Sequence, residues 1–274
     1  MRKTIIITGA TGGIGKAAAI ALAKQGNDII IQGRDAEKGK SISEEISKIN
    51  GSTCQFIQAN TSTMDGIKNL VAEVKKLTTK IDILIHSAGT LNSKRKETKE
   101  SLDEVFVVNY LCKFMIDNLL LEELKKGGGR IIIVGGLLSR GVTFDFSDLQ
   151  LQSNYSVSKR MGQNKLAVHM HAQEFAKKNG EHPSINVIHP GVTKTNIDRN
   201  LNWLERTAFG LLLLIKGNSL EKAIANILEL ASANKVESGY FYPKLADTSV
   251  REKINLDDAS TAKLWEESLK IAKI

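Results

Sequence analysis

A doubly wound α/β fold is predicted for residues 1–274: one parallel sheet of about seven strands with helices on both faces, in a single domain. Three features predict it. Short, apolar, β-branched runs recur along the chain and alternate with longer stretches of helical periodicity. The first run ends in a glycine-rich turn that opens directly into a helical stretch. The length of 274 residues suits one large domain, and no repeat or Pro-rich linker divides it. Strand followed by helix, repeated, needs crossover connections, and these make neighbouring strands parallel.

The strands follow in order. KTIIITGA (3–10), NDIIIQG (27–33), CQFIQAN (54–60), DILIHSAG (82–89), RIIIVGG (130–136) and INVIHPG (185–191) are short enough for strands and apolar enough for burial on both faces. YFYP (240–243) is a candidate seventh. In the turn TGATGGIG after the first strand, Gly9, Gly13 and Gly15 let the backbone bend and approach a pyrophosphate. The helix expected at residues 16–24 points its positive end at that charge. The second strand ends QGRD. An acid at that tip suits the ribose 2′-hydroxyl of NAD, whereas Gly33 leaves space and Arg34 offers a fork to a 2′-phosphate. NADP(H) is therefore the expected cofactor.

Composition narrows the classes further. The net charge is +8, but the basic residues are spread along the chain and aromatics make up only 5%, which argues against a nucleic-acid platform. Cys54 and Cys112 lie far apart and suggest neither a disulfide framework nor a metal cluster, as in a reducing, cytoplasmic protein. The N-terminal apolar run is too short for a signal peptide or a membrane span. His169 and His171 stand two apart on a helix and diverge, which argues against a metal. His86 and His189, at strand tips, read as packing or hydrogen-bonding residues.

With its TGxxxGxG spacing the chain resembles the short-chain dehydrogenase/reductase family, and the likeness continues almost to its end. Asn60 matches the usual aspartate beside the adenine. HSAG (86–89) is similar to the family's NNAG turn, keeping Ala88 and Gly89. Asn109 in VNYL matches the active-site asparagine. YSVSK (155–159) supplies a YxxxK pair, Tyr155 and Lys159, and HPGVTKT (189–195) resembles the loop that closes over the nicotinamide. SLEKAIANILELASANKVESGYFY (219–242) resembles the retinol-dehydrogenase branch. The resemblance implies a Rossmann-like fold and an NADP(H)-dependent oxidoreductase that interconverts a carbonyl and an alcohol. It places Thr8, Gly9, Thr11, Gly13, Ile14, Gly15, Arg34, Asn60, Ala88, Gly89, Tyr155, Lys159, Pro190, Gly191, Val192, Thr193 and Thr195 around the cofactor. Tyr155 becomes the acid-base group, Lys159 holds the ribose, and Asn109 orders a water chain. Four residues apart near the start of a long helix, Tyr155 and Lys159 should share one face, so that the ammonium favours the ionised phenol.

One expected group is missing. In the family a strand like RIIIVGG ends in two serines, and the one that orients the carbonyl falls at Gly136. Three alternatives stand: Ser139 folds back into the site, a water or backbone N–H substitutes, or the protein binds cofactor without much turnover, as a regulator or scaffold. The apolar run AFGLLLLIKG (208–217) lies within the segment 194–218 expected to form a substrate lid, which favours a lipophilic substrate. Dimer packing and membrane-surface contact by Trp203, Phe209 and Leu213 are the other readings of that run. The expected assembly is a homo-oligomer whose partner is a small-molecule carbonyl or alcohol.

Overall fold

A computed structural model describes residues 2–137 and 141–274. The predicted runs form β1 (Thr4–Thr8), β2 (Asp28–Gly33), β3 (Thr53–Gln58), β4 (Ile83–His86), β5 (Arg130–Val134), β6 (Ser184–Ile188) and, from YFYP, β9 (Tyr240–Tyr242). Two-residue strands β7 (Val192–Thr193) and β8 (Gly217–Asn218) pair with each other outside the main sheet. The sequence did not suggest them, nor β10 (Glu252–Lys253). The eight-stranded sheet has the order β10-β9-β6-β5-β4-β1-β2-β3, parallel throughout except for antiparallel β10. A charged pair on an exposed edge carries no apolar signal, which explains why β10 was not predicted.

The helices are α1 (Gly13–Ala23), α2 (Ala36–Ser47), α3 (Met64–Leu77), α4 (Glu104–Phe106), α5 (Cys112–Leu119), α6 (Leu121–Gly127), α7 (Val157–Asn179), α8 (Trp203–Lys216), α9 (Leu220–Ser232) and α10 (Asp258–Ala272). Strand pleating sends alternate isoleucines to opposite faces. Ile6, Ile30, Leu84 and Ile131 enter one apolar layer with Phe114, Phe175 and Trp265 from α5, α7 and α10. Ile5, Ile7, Ile29 and Ile83 enter the other, with Leu22, Ile42 and Ile227 from α1, α2 and α9. Both faces are therefore covered, as the unbroken apolar runs require.

From β1 the chain moves to β2 and β3 on one side, then returns to β4 and moves to β5 and β6 on the other. The reversal opens a crevice at the carboxyl tips of β1 and β4, where doubly wound sheets bind their ligands. No helix among the described residues is long and apolar enough to cross a membrane.

Candidate functional site

The glycine turn is built for close approach. Gly9 has φ +69°, and a Cβ there would lie 2.6 Å from the Ala88 Cα, so the β1 turn and the turn after β4 touch backbone to backbone. The Gly9 N–H donates to Gln32 Oε1 at 3.0 Å. The first turn of α1 contains Ile14 and Gly15, both buried, and no acidic side chain, so nothing offsets its positive end. On β2, Gly33 packs against Thr11, whose Cγ2 would lie 2.2 Å from an added Cβ. Arg34 follows, exposed at the strand tip. Beside it a cavity of about 420 Å³ is lined by Thr11, Lys16, Glu37, Lys38, Ser41 and Ile42. Burial and the charge of Arg34 lower Arg199, whose guanidinium comes from the far side of the crevice. A turn with Gly9, Gly12, Gly13 and Gly15, a helix N-terminus without an acidic side chain, and the nearby guanidiniums of Arg34 and Arg199 fit a dinucleotide phosphate chain. Asn60 is exposed, and its Oδ1 accepts from the backbone N–H and hydroxyl of Ser62 at 3.2 and 2.9 Å.

Asn109 sits in a π-helical turn, Val107–Leu111, between α4 and α5. Its amide grips the backbone of Thr90, donating to the carbonyl at 2.9 Å and accepting from the N–H at 2.8 Å. Lys113, which the motifs did not indicate, is fully buried and donates to the carbonyls of Ala88, Val108 and Asn109 at 3.1, 3.2 and 2.7 Å. It binds the wide helical turn to Ala88 and hence to Gly89. On the opposite wall the Thr193 hydroxyl donates to the Pro190 carbonyl at 2.9 Å, and Gly191 has φ +69°. The Val192–Thr193 strand runs beside Gly217–Asn218. Thr195 reaches Gly13, its Cγ2 3.0 Å from where a Cβ on that glycine would stand. Thr8 through Gly15, Ala88, Gly89, Asn109 and the 190–195 loop thus line one crevice.

The YxxxK pair departs from expectation. α7 starts at Val157 with Ser156 as its cap, so Tyr155 precedes the helix and does not share its face with Lys159. The Tyr155 hydroxyl donates to the Asn92 carbonyl at 2.9 Å. Burial pushes its phenol up to about 12, and the Asp103 carboxylate pushes the same way, the reverse of activation by a neighbouring ammonium. Lys159 is exposed, its backbone N–H taken by Ser156 Oγ at 3.2 Å. Ser139 lies outside the described residues.

What faces Gly136 is different. Its φ is +151°, and a Cβ there would stand 3.1 Å from Lys165 Cε and 3.5 Å from Lys165 Nζ. His169 Nε2 donates to the Gly136 carbonyl at 3.1 Å, and burial drops that imidazole to about 4, so it is neutral at pH 7. His86 and His171 share one carboxylate in the core. Each places Nε2 2.7 Å from one oxygen of Asp117, all three fully buried. No cluster of metal-ligating side chains occurs among the described residues.

The sequence profile described as short chain dehydrogenase matches residues 3–205. The chain belongs to the short-chain dehydrogenase family. It is 29% identical to human retinol dehydrogenase 13 over 98% of this chain and 84% of that one. With human polyprenol dehydrogenase it shares 31% identity over 77% of this chain and 66% of that one. The likeness to the retinol-dehydrogenase branch is borne out by these relatives. Among solved structures, the fold matches the Pseudomonas aeruginosa RhlG/NADP active-site complex with a TM-score of 0.70 at 23% identity, over 90% of this chain and 96% of that one. An alcohol dehydrogenase from Thermococcus sibiricus complexed with 5-hydroxy-NADP matches with a TM-score of 0.69 at 18% identity, over 90% and 97%. As a short-chain dehydrogenase the chain belongs among oxidoreductases of alcohols and carbonyls that use a nicotinamide dinucleotide. These similarities concern the family and the fold, whereas which side chains serve the reaction rests on the crevice itself.

Proposed function

We propose that this chain is an NADP(H)-dependent oxidoreductase that interconverts a carbonyl and a lipophilic alcohol. The observation that carries the choice of coenzyme is the β2 tip: Gly33 closed against Thr11, then Arg34, with Arg199 near enough for its charge to be felt. Burial and Arg34 lower Arg199 while the Glu104 carboxylate pushes it back up, and the 2′-phosphate of NADP(H) would be a further anion for the two guanidiniums. The bound coenzyme supplies or takes up a hydride, and the chain's part is to hold it, orient the carbonyl and move one proton. A lipophilic substrate is supported by α8, whose Trp203, Leu204, Leu211, Leu214 and Ile215 are all exposed beside the crevice loop. Two relatives, moreover, are named for retinol and polyprenol, both apolar alcohols.

Titration with each coenzyme tests the assignment. NADPH should bind at least about tenfold tighter than NADH, and Arg34→Ala should remove most of that difference, a loss on the order of 1–3 kcal/mol for a charge-assisted pair. Equal affinities in the unaltered protein would exclude the NADP(H) reading. A second reading, a coenzyme-binding regulator, is favoured by one observation, the absence of a hydroxyl at Gly136.

A further inference from the structure

The helix that carries the site lysine has its rotation fixed by four buried contacts. Arg160, 1% exposed, forms an ion pair with Asp103 at 3.1 Å. Asn164 Nδ2 donates to the Val105 carbonyl at 3.2 Å, His169 to the Gly136 carbonyl at 3.1 Å, and His171 to Asp117 at 2.7 Å. Turning α7 to bring Lys159 towards the crevice would break all of them. At about 100° per residue, Lys159 and Lys165 point roughly 120° apart around the axis, so one face cannot present both. The one beside the β5 tip is Lys165. One helical turn before it, and only about 40° around, stands Met161, 37% exposed, whose thioether neither gives nor takes a proton.

We infer that Lys165 is the lysine of the coenzyme crevice, and that its ammonium gives the carbonyl oxygen its proton during reduction, in place of Tyr155 and Lys159. The inference deepens the oxidoreductase reading and rests on it for the proton step. In that step hydride from NADPH forms the new C–H bond, and the C=O π pair moves onto oxygen. The Lys165 N–H bond then breaks as the O–H bond forms, leaving a neutral amine that solvent reprotonates. Three features support it. Gly136 has no hydroxyl, Met161 on the same side of α7 as Lys165 has none either, and Lys165 Nζ stands 3.5 Å from where a Cβ on Gly136 would be, so the ammonium is the proton-bearing group beside the strand tip. Burial lowers Lys165 from the ordinary lysine range, with no carboxylate among the described residues opposing the shift, which makes it a better acid. The nearby imidazoles of His169 and His189 are both lowered by burial, and His169 is committed to the Gly136 carbonyl.

Two measurements on the full chain test this. In the first, lysines are acylated with acetic anhydride with and without NADPH, and each site is read by mass spectrometry. Lys165 should be protected at least about fivefold by NADPH and Lys159 should not; protection of Lys159 alone, or of neither, would overturn the placement whether or not the protein turns over. In the second, NADPH affinity and carbonyl reduction are compared in Lys165→Arg, Lys165→Met, Lys159→Met and Tyr155→Phe, using a panel of aldehydes and ketones. Lys165→Arg keeps the charge but cannot release a proton, so it should bind NADPH within about threefold of the unaltered protein while reduction falls at least about a hundredfold. Lys165→Met should lose both, and Lys159→Met and Tyr155→Phe should stay within about twofold. Full turnover in Lys165→Arg, or its loss in Tyr155→Phe, would overturn the proton step alone. No turnover by the unaltered chain would overturn that step together with the oxidoreductase reading, leaving the acylation result to decide the placement.

Discussion

At the scale of single residues, the missing serine and the displaced tyrosine have different remedies. Returning a hydroxyl by Gly136→Ser meets a backbone at φ +151° and the Lys165 side chain 3.1 Å from the new Cβ. Strain of that kind costs on the order of 1–3 kcal/mol, so the variant should melt earlier in urea and gain no turnover. Met161→Tyr asks less of the fold, because that position is on the helix surface and 37% exposed. A phenol there stands one turn from the Lys165 ammonium, and reduction should rise at least about tenfold, read with the same aldehyde panel. The residue level was also where the sequence was least legible. YSVSK has the right letters, but only tertiary contacts set the phase of the helix that contains them. α7 hides that phase because the buried residues of its first turns are Arg160, Gly162, Gln163 and Asn164, and His169, His171 and Glu174 interrupt the apolar ones further along.

Elements were easier to read than residues. β1, β2, β4, β5 and β6 carry short aliphatic runs whose central residues are buried between two helical layers, and composition alone exposes such strands. The glycine turn was legible for a related reason, since a strand, a glycine-rich bend and a helix in succession leave few alternatives. α8 is the contrary case. The apolar letters of AFGLLLLIKG suggested part of a substrate lid but gave no inner face, and none of the helix's residues is buried, with Leu214 and Ile215 85% and 71% exposed. Replacing both with glutamate should therefore change folding stability by no more than about 0.5 kcal/mol in urea titration, since little apolar area leaves the core. If the helix greets a lipophilic substrate, the same double variant should raise KM for long-chain carbonyls while sparing short ones. An unchanged KM for both would remove α8 from the substrate's path.

For the molecule as a whole, stability should depend on pH and on coenzyme. His169 stays neutral in the folded state down to about 4, while in the unfolded chain an ordinary imidazole takes its proton near 6.5. Between those values the unfolded state binds the extra proton, so stability falls as pH drops from about 6.5 towards 4, by up to about 3 kcal/mol. His169→Gln should flatten that part of the profile in urea melts at pH 7 and 5. A ligand that binds only the folded chain stabilises it by about 2.7 kcal/mol at a hundred times its dissociation constant, so NADPH should raise Tm, and NADH less at equal concentration.

The sheet's outer boundary has a consequence for self-association. β10 is two residues long, Glu252 and Lys253, both exposed and both charged. Arg251 precedes it, and Lys253 Nζ ties back to the Ser238 carbonyl at 2.7 Å. An edge so short and so hydrated offers no template on which a neighbouring chain could extend the β-ladder. The stub thereby closes that side of the sheet to ladder growth, and the longer unpaired edge is β3, Thr53–Gln58, at the opposite side.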